Sequence, residues 1–360
     1  MKIADCLKDR NNNFTLMRFL AACAVLYGHS YALSLGVKGA EDPISHILIN
    51  IWGESLPSLA VDLFFVTSGF LVCASYIQRE SLIAFIEARV LRIFPALVIA
   101  VLFCICIVGA FATTDSLSNY FLSPSTWSFF KHNTSLITGI QFDLPNVFIN
   151  NPYPVSVNGS LWTLPIEIRM YFWVALLGSL SQLKDEKTFN AIFIVLCLMY
   201  AQTSNNNFFI EGTPRHAQLA LEFLLGAFFY INRCKISLGF VGATTLYILV
   251  YLTTEYEVSV FLKATCFAYL VLLLALHPKL RLPSIDRYGD ISYGLYIYAF
   301  PVQQSIAYYI PQVKPLNMLI LSTFITVFLA ILSWHLIEKP TLKMKGKMSF
   351  GRTKAIVEKG

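Results

Sequence analysis

The sequence predicts an all-α membrane protein, a polytopic bundle of about ten transmembrane helices with both termini cytoplasmic. Three observations carry that reading. Of the 360 residues, 56% are hydrophobic and only 13% charged, where an ordinary soluble domain carries about 25% charged residues. Apolar runs close to the roughly 20 residues needed to cross a hydrocarbon core recur along the chain. Lysine and arginine, finally, concentrate in every second connecting segment.

Taken in order, the apolar runs fall at 14–34, 59–78, 91–112, 160–181, 189–203, 216–232, 237–254, 260–277, 287–310 and 316–336. The first follows Lys2, Lys8 and Arg10 and resembles a signal peptide in outline. Arg18 and His29 inside it, and the lack of a clean small-residue cleavage site after it, make it a retained spanning helix. Pro165 interrupts the fourth run, and the fifth and sixth are short enough to tilt. The stretch 113–158 is the one long loop, rich in Asn, Ser, Thr and Pro, with 126–140 read as a short interfacial helix. With the N-terminus inside, the inner segments hold 20 Lys/Arg, counting a basic cytoplasmic tail at 346–360 after a membrane domain at 1–345. The outer loops hold 5, namely Lys38, Lys131, Arg215, Lys263 and Lys314, and Arg18 and Arg169 lie within spans. That asymmetry is the positive-inside pattern, so the net charge of +6 is a topology signal and not a nucleic-acid footprint. The eight cysteines include no CxxC and fall mostly in apolar runs, where they act as small hydrophobes. The six histidines form no HxxxH or HExxH pair, so no metal is assigned.

Ionisable groups inside a bilayer cost at least a few kcal/mol each and are functional suspects by default. They are Arg18, His29, Asp62, Glu167, Arg169 and Glu222. Eleven residues of helix turn through three full circles plus about 20°, so Arg18 and His29 project from one face, about 16 Å apart along the axis. The inward direction of the second and fourth helices puts Asp62 and Glu167 at about the depth of His29, in the outer leaflet. A carboxylate beside an imidazole fixes its tautomer and supports the imidazolium, which makes His29 a usable general base. The plain alternatives are a hydrogen-bonded packing histidine and an Asp62 that caps its helix. Arg89 and Arg92 stand three apart at the start of the third helix, two guanidinium forks suited to a phosphate or simply topogenic. Ser68 and Gly69, and the run Gly289-Asp290-Ile291-Ser292-Tyr293-Gly294, offer hydroxyls and close-approach glycines that also suit helix packing.

These residues resemble the acyltransferase-3 family of integral membrane acyltransferases, the O-acetyltransferase type, from Arg18 to about Pro340. Arg18-x10-His29 resembles its first-helix motif, and Phe64-Phe65-Val66-Thr67-Ser68-Gly69-Phe70 its FFxxSGF signature. Arg89-x2-Arg92-Ile93-x-Pro95 resembles the basic motif. Ser160-Leu161-Trp162, running on to Glu167 and Tyr171, resembles its SLWxxxxE segment. Ile291-Ser292-Tyr293-Gly294-Leu295-Tyr296 and Ile337-Glu338-Lys339-Pro340 resemble the closing motifs.

The resemblance implies transfer of an acyl group, acetyl by family default, from cytoplasmic acyl-CoA to a hydroxyl of a cell-surface polysaccharide or lipid-linked glycan. The expected setting is a bacterial inner membrane, with lipid around the bundle. Arg18, Arg89 and Arg92 would hold the donor, His29 would act as general base or be transiently acylated, and Asp62 or Glu167 would orient it. Ser68, Gly69, Ser160, Trp162, Tyr171, Ser292 and Tyr293 complete the motifs as substrate-facing or structural positions. Two departures narrow the transfer of roles. At Tyr298-Ala299-Phe300-Pro301-Val302 the histidine of many members is missing. A soluble hydrolase-like domain often follows the last helix, whereas this sequence runs only about twenty residues past it, so the reaction is expected within the membrane domain or with a separate protein. A flippase of lipid-linked glycan and the same chemistry on a non-glycan acceptor stay open as rivals; the first predicts an inverted repeat, which the sequence does not show.

Overall fold

A computed structural model of the chain describes residues 1–8, 11–36, 41–79, 81–202, 213–254, 256, 258–285 and 289–346. Among these the regular structure is helical, with three isolated β-bridges. The main helices are α1 (Phe14–Leu35), α2 (Pro43–Trp52), α3 (Leu56–Arg79), α4 (Leu82–Phe103), α5 (Leu117–Leu122), α6 (Pro124–Ser135) and α7 (Leu164–Ser179). They continue with α8 (Glu186–Gln202), α9 (Pro214–Ile231), α10 (Phe240–Leu252), α11 (Val258–Leu276), α12 (Ser292–Tyr309) and α13 (Pro315–Ser333).

Each of the ten apolar runs therefore contains a helix, the form in which a chain satisfies its own backbone in lipid. Among the described residues, five stretches are long and apolar enough to cross a membrane by length and composition: Phe14–Leu35, Leu56–Arg79, Leu82–Ala112, Ser259–Leu276 and Pro315–Leu342. Boundaries moved where local chemistry overrides hydropathy. Hydropathy starts the third run at 91, yet α4 starts at Leu82 with the Ser81 hydroxyl accepting from the Ala84 amide, so Arg89 and Arg92 lie inside the helix. The ninth was placed from 287, but α12 waits for Ser292, whose amide donates 3.3 Å to the Asp290 carboxylate. The fourth opens with a 3₁₀ turn, Gly159–Thr163, and Pro165 then sits in the first turn of α7, where its missing N–H costs nothing. Helix α2 was not foreseen; Asp42 caps it by accepting from Ser45 N at 2.8 Å, and Gly53 ends it at φ +85°. The loop 113–158 holds α5 and α6 and buries Tyr120 completely. The predicted basic tail lies outside the described residues beyond Gly346, as do Arg10, Lys38 and Arg287.

The chain divides into two units, with boundaries at 18/19, 60/61, 85/86 and 165/166 inside helices and one more at 288/289. The first comprises 1–18, 61–85 and 166–288. Its N-terminal segment is tied down by Ile3 N to Ile236 O at 3.0 Å and Leu238 N to Met1 O at 2.8 Å. Buried Asn13 donates to the Leu274 and Leu280 carbonyls, both at 2.8 Å, and accepts from Leu282 N at 3.0 Å. Here α3 crosses α9 through glycine: a Cβ at Gly69 would overlap the Phe223 carbonyl, and one at Gly226 the Val66 carbonyl. Backbones in such contact pack by dispersion, which is what holds helices together where lipid is as apolar as leucine.

The second unit comprises 19–60, 86–165 and 289–360. Its most buried helix is α12, which lies along α13 with Gly294 against Ala330 and builds a core from Leu33, Phe300, Val302, Ile306, Val313 and Met318. Two π-helical turns, Cys104–Gly109 and Trp334–Glu338, extend α4 and α13. The first is explained by Tyr120, whose hydroxyl donates to Ile105 O at 3.0 Å and occupies the space a side chain on Gly109 would need. At the second, Gly289 packs on Trp334 at φ +91°, a conformation and a proximity that both require glycine.

Candidate active site

His29 sits on α1 in the second unit. Its ring meets Phe300 edge-on at 5.3 Å between centroids, and its Nδ1 is buried with no hydrogen-bond partner among the described residues. Phe300 is the hub of this region: Tyr153 meets it edge-on at 5.9 Å, and the Gly159 Cα lies so close that a Cβ would come within 2.6 Å of the ring. Asn158 and Ser160, on either side of that glycine, are each 1% exposed. The Asn158 Nδ2 donates to Ile297 O at 2.9 Å, but its Oδ1 and the Ser160 Oγ have no hydrogen-bond partner among the described residues. Further along α12, fully buried Gln303 donates to Leu26 O and Ser30 Oγ, each at 2.9 Å, at positions flanking His29 on α1. Trp162 and Thr163 follow in the 3₁₀ turn, and the Thr163 hydroxyl meets the Tyr296 hydroxyl at 2.8 Å.

The first unit gathers a different set. Glu167, near the start of α7, accepts from Ser68 Oγ at 3.1 Å and from the Tyr171 hydroxyl one helical turn on. The Ser68 and Tyr171 hydroxyls are 3.4 Å apart. Two sequence motifs, FFxxSGF and SLWxxxxE, thus meet on one carboxylate oxygen. Asp62, 2% exposed, is gripped by both terminal nitrogens of Arg215 at 2.8 and 3.3 Å. Arg18 places its guanidinium 5.9 Å from the centroid of Phe64.

A third cluster, in the second unit, surrounds Arg92. It pairs with Asp290, and with Glu338 at 3.5 Å. The Asp290 carboxylate also receives the Ser292 hydroxyl, and Glu338 receives the Ser333 hydroxyl at 3.1 Å. One turn away Tyr293 donates to Ile93 O at 3.1 Å. Two separately recognised segments therefore converge on the guanidinium of a third.

The structure keeps Arg18 and His29 on one continuous helix. It joins Ser68, Glu167 and Tyr171, and joins Arg92 to the Ser292–Tyr293 corner. Sequence reasoning missed Arg215 as the partner of Asp62, having counted it only as an outer-loop charge. It missed Asn158, one polar residue among many in the long loop, and Gln303, whose only signal was an amide within an apolar run. Asp290 and Glu338 stood inside quoted motifs, but nothing in the chain order ties either to Arg92.

A family model described as an acyltransferase domain matches residues 11–335. An O-acetyl transferase of Shigella phage Sf6 is 29% identical over 346 residues, covering 92% of this chain and 96% of that protein. Nodulation protein 10 of Rhizobium leguminosarum bv. viciae is 28% identical, with 93% and 94% covered. O-acetyltransferase OatA of Staphylococcus aureus strain MRSA252 is 24% identical over 83% of this chain, which spans 56% of that longer relative. No solved structure matches.

Proposed function

The chain belongs to this family of membrane acyltransferases, and from that premise we propose that it moves an acetyl group from cytoplasmic acetyl-CoA to a hydroxyl of a cell-surface polysaccharide or lipid-linked glycan. Two of the relatives carry O-acetyl transfer in their names, which favours acetyl and an oxygen acceptor. Ten helices at the ten apolar runs, with the 20-to-5 charge bias, favour ten spans, cytoplasmic termini and a bacterial inner membrane.

The observation that carries the proposal is the imidazole of His29, held by an aromatic edge contact with its Nδ1 buried and unpartnered. A neutral ring nitrogen in that state is ready to take a proton from an incoming hydroxyl. The acceptor oxygen attacks the thioester carbonyl as its proton passes to His29. The C–S bond then breaks, the new ester forms, and CoA thiolate leaves, to be protonated by the imidazolium. Asp62 is paired with Arg215, and Glu167 accepts from Ser68 and Tyr171; whether either carboxylate also supports the imidazolium is what the variants below decide. The polyanionic nucleotide calls for cations, and Arg18, Arg89 and Arg92 supply them; Arg92 would enter that role by exchanging Asp290 or Glu338 for a phosphate.

The test compares glycans from cells carrying wild-type protein and His29→Ala by mass spectrometry, at equal levels of membrane protein. Loss of one acetyl mass in the variant is the expected result. Unchanged acetylation would refute the reading.

A further inference from the structure

A buried polar atom that no protein group satisfies forfeits hydrogen bonds it would have made in water, so a fold sheds such atoms unless something outside the chain completes them. Three belong to residues next to one phenyl ring: His29 Nδ1, whose imidazole meets Phe300, and Asn158 Oδ1 and Ser160 Oγ, whose residues flank the glycine that packs on it. The orientation of the Asn158 amide is fixed by chemistry, because its Nδ2 donates to the Ile297 carbonyl and a flip would set oxygen against oxygen. Its bare atom is therefore an acceptor, which demands a donor from the ligand. The thioester and acetyl group themselves have no such donor to give, and the pantetheine arm behind them offers only well-separated amide N–H groups and one hydroxyl. A sugar carries several hydroxyls on adjacent carbons, so one can give its proton to an imidazole while its neighbour donates to an amide oxygen.

We propose that Asn158 and Ser160 form the seat of the acceptor sugar beside His29, with Asn158 Oδ1 accepting from the hydroxyl next to the one that is acylated. The assignment rests on the glycan reading above and gives it a specificity: a vicinal diol binds, and an acceptor with a lone hydroxyl binds poorly. Both residues belong to the segment that leads into the 3₁₀ turn ahead of α7, and Gly159 brings that segment against the ring because any side chain there would strike it.

The experiment uses the full chain in lipid nanodiscs, with a panel of methyl glycosides covering hexose, 6-deoxyhexose and N-acetylhexosamine stereochemistries. Thermal unfolding is followed with the glycosides alone, and thiol release and ester formation are followed with acetyl-CoA added. For wild type, at least one glycoside should raise the melting temperature in a concentration-dependent way without any donor. Ser160→Ala removes a hydroxyl the protein does not use, so its own melting temperature should be equal to or above wild type, while the glycoside effect is lost. Its KM for that glycoside should rise about tenfold, the worth of one hydrogen bond, and its KM for acetyl-CoA should not move. Asn158→Ala should repeat the pattern more strongly, with some loss of stability from the freed Ile297 carbonyl. A raised KM for acetyl-CoA instead would make this the seat of the donor arm and overturn the assignment. So would glycosides that neither stabilise wild type nor distinguish it from Ser160→Ala, or a Ser160→Ala protein that loses stability in step with activity. Glycoside binding without thiol release from acetyl-CoA would instead sink the donor reading and leave this seat standing.

Discussion

Around Arg92 the protein closes its own polar groups, and around Phe300 it leaves them open. Asp290 and Glu338 both reach the Arg92 guanidinium, and each carboxylate is held in turn by a serine hydroxyl. Around Phe300 an imidazole nitrogen, an amide oxygen and a hydroxyl are buried with nothing in the described residues to meet them. Both clusters lie in the same unit and both are built from family motifs, so a motif by itself does not separate chemistry from architecture. What separates them is completion. A closed cluster ties helices together and its loss is felt as unfolding. An open one costs stability, about 1–3 kcal/mol for each unpaired group, and its loss is felt as lost activity.

The largest expected effect tests the open side. His29→Ala should lower acyl transfer by about 10²–10⁴, the usual worth of a positioned general base, while stability falls only by about 1 kcal/mol for the lost edge contact with Phe300, since no hydrogen bond to Nδ1 is given up. A variant that fails to fold would move His29 to the closed class. The next effect tests the closed side. Arg92→Met strands Glu338, which is 1% exposed, and breaking a buried pair in this way costs about 3–5 kcal/mol. The expected result is a large fall in melting temperature, partly restored in Arg92→Met/Glu338→Gln, where no charge is left alone on that oxygen. If Arg92→Met melts normally and only the KM for acetyl-CoA rises, the guanidinium serves the donor more than the fold.

The same distinction explains how much the sequence disclosed. The helices were legible because hydropathy and length act locally and every spanning segment must satisfy its own backbone. Helix starts at 82, 164 and 292 were not, because a serine cap, a 3₁₀ turn ahead of Pro165 and the Asp290–Ser292 corner set them against the hydropathy profile. His29, Glu167 and Ser68 could be singled out as polar residues in apolar runs. Their partners could not, because Ser68 and Glu167 are 99 residues apart and Arg92 and Glu338 are 246 apart. Tyr171 was visible as a motif member, but its bond to Glu167 follows only once the i, i+4 spacing is known to lie on a helix.

Asp62 sharpens the comparison from the closed side at smaller cost. Its carboxylate is 2% exposed and bidentate to Arg215, whose side chain is 23% exposed and so keeps part of its solvation. Asp62→Asn should cost about 1–3 kcal/mol in unfolding experiments, since an amide holds shape but weakens the bidentate pair. Adding Arg215→Gln should then cost little more, because the two substitutions remove one interaction. Loss of acetyl transfer with unaltered stability in Asp62→Asn would place the carboxylate with His29.

The Ser68–Glu167–Tyr171 cluster stands between the two classes, and it carries the smallest expected effect. Two hydroxyls share one carboxylate oxygen, so removing either leaves the other in place. Tyr171→Phe should therefore cost only about 1 kcal/mol of stability, and Ser68→Ala about the same. Because the two donors also touch each other at 3.4 Å, the double variant should depart from additivity by about 0.5–1 kcal/mol. The sign of the contrast with activity is what matters. A cluster that only pins α3 to α7 shows activity falling in proportion to the folded fraction. A cluster that takes part in transfer shows each single variant losing several-fold in kcat at full folding, with Glu167→Gln losing more than the two hydroxyl variants together. The second outcome would make Glu167 an open group that the protein has merely half-closed.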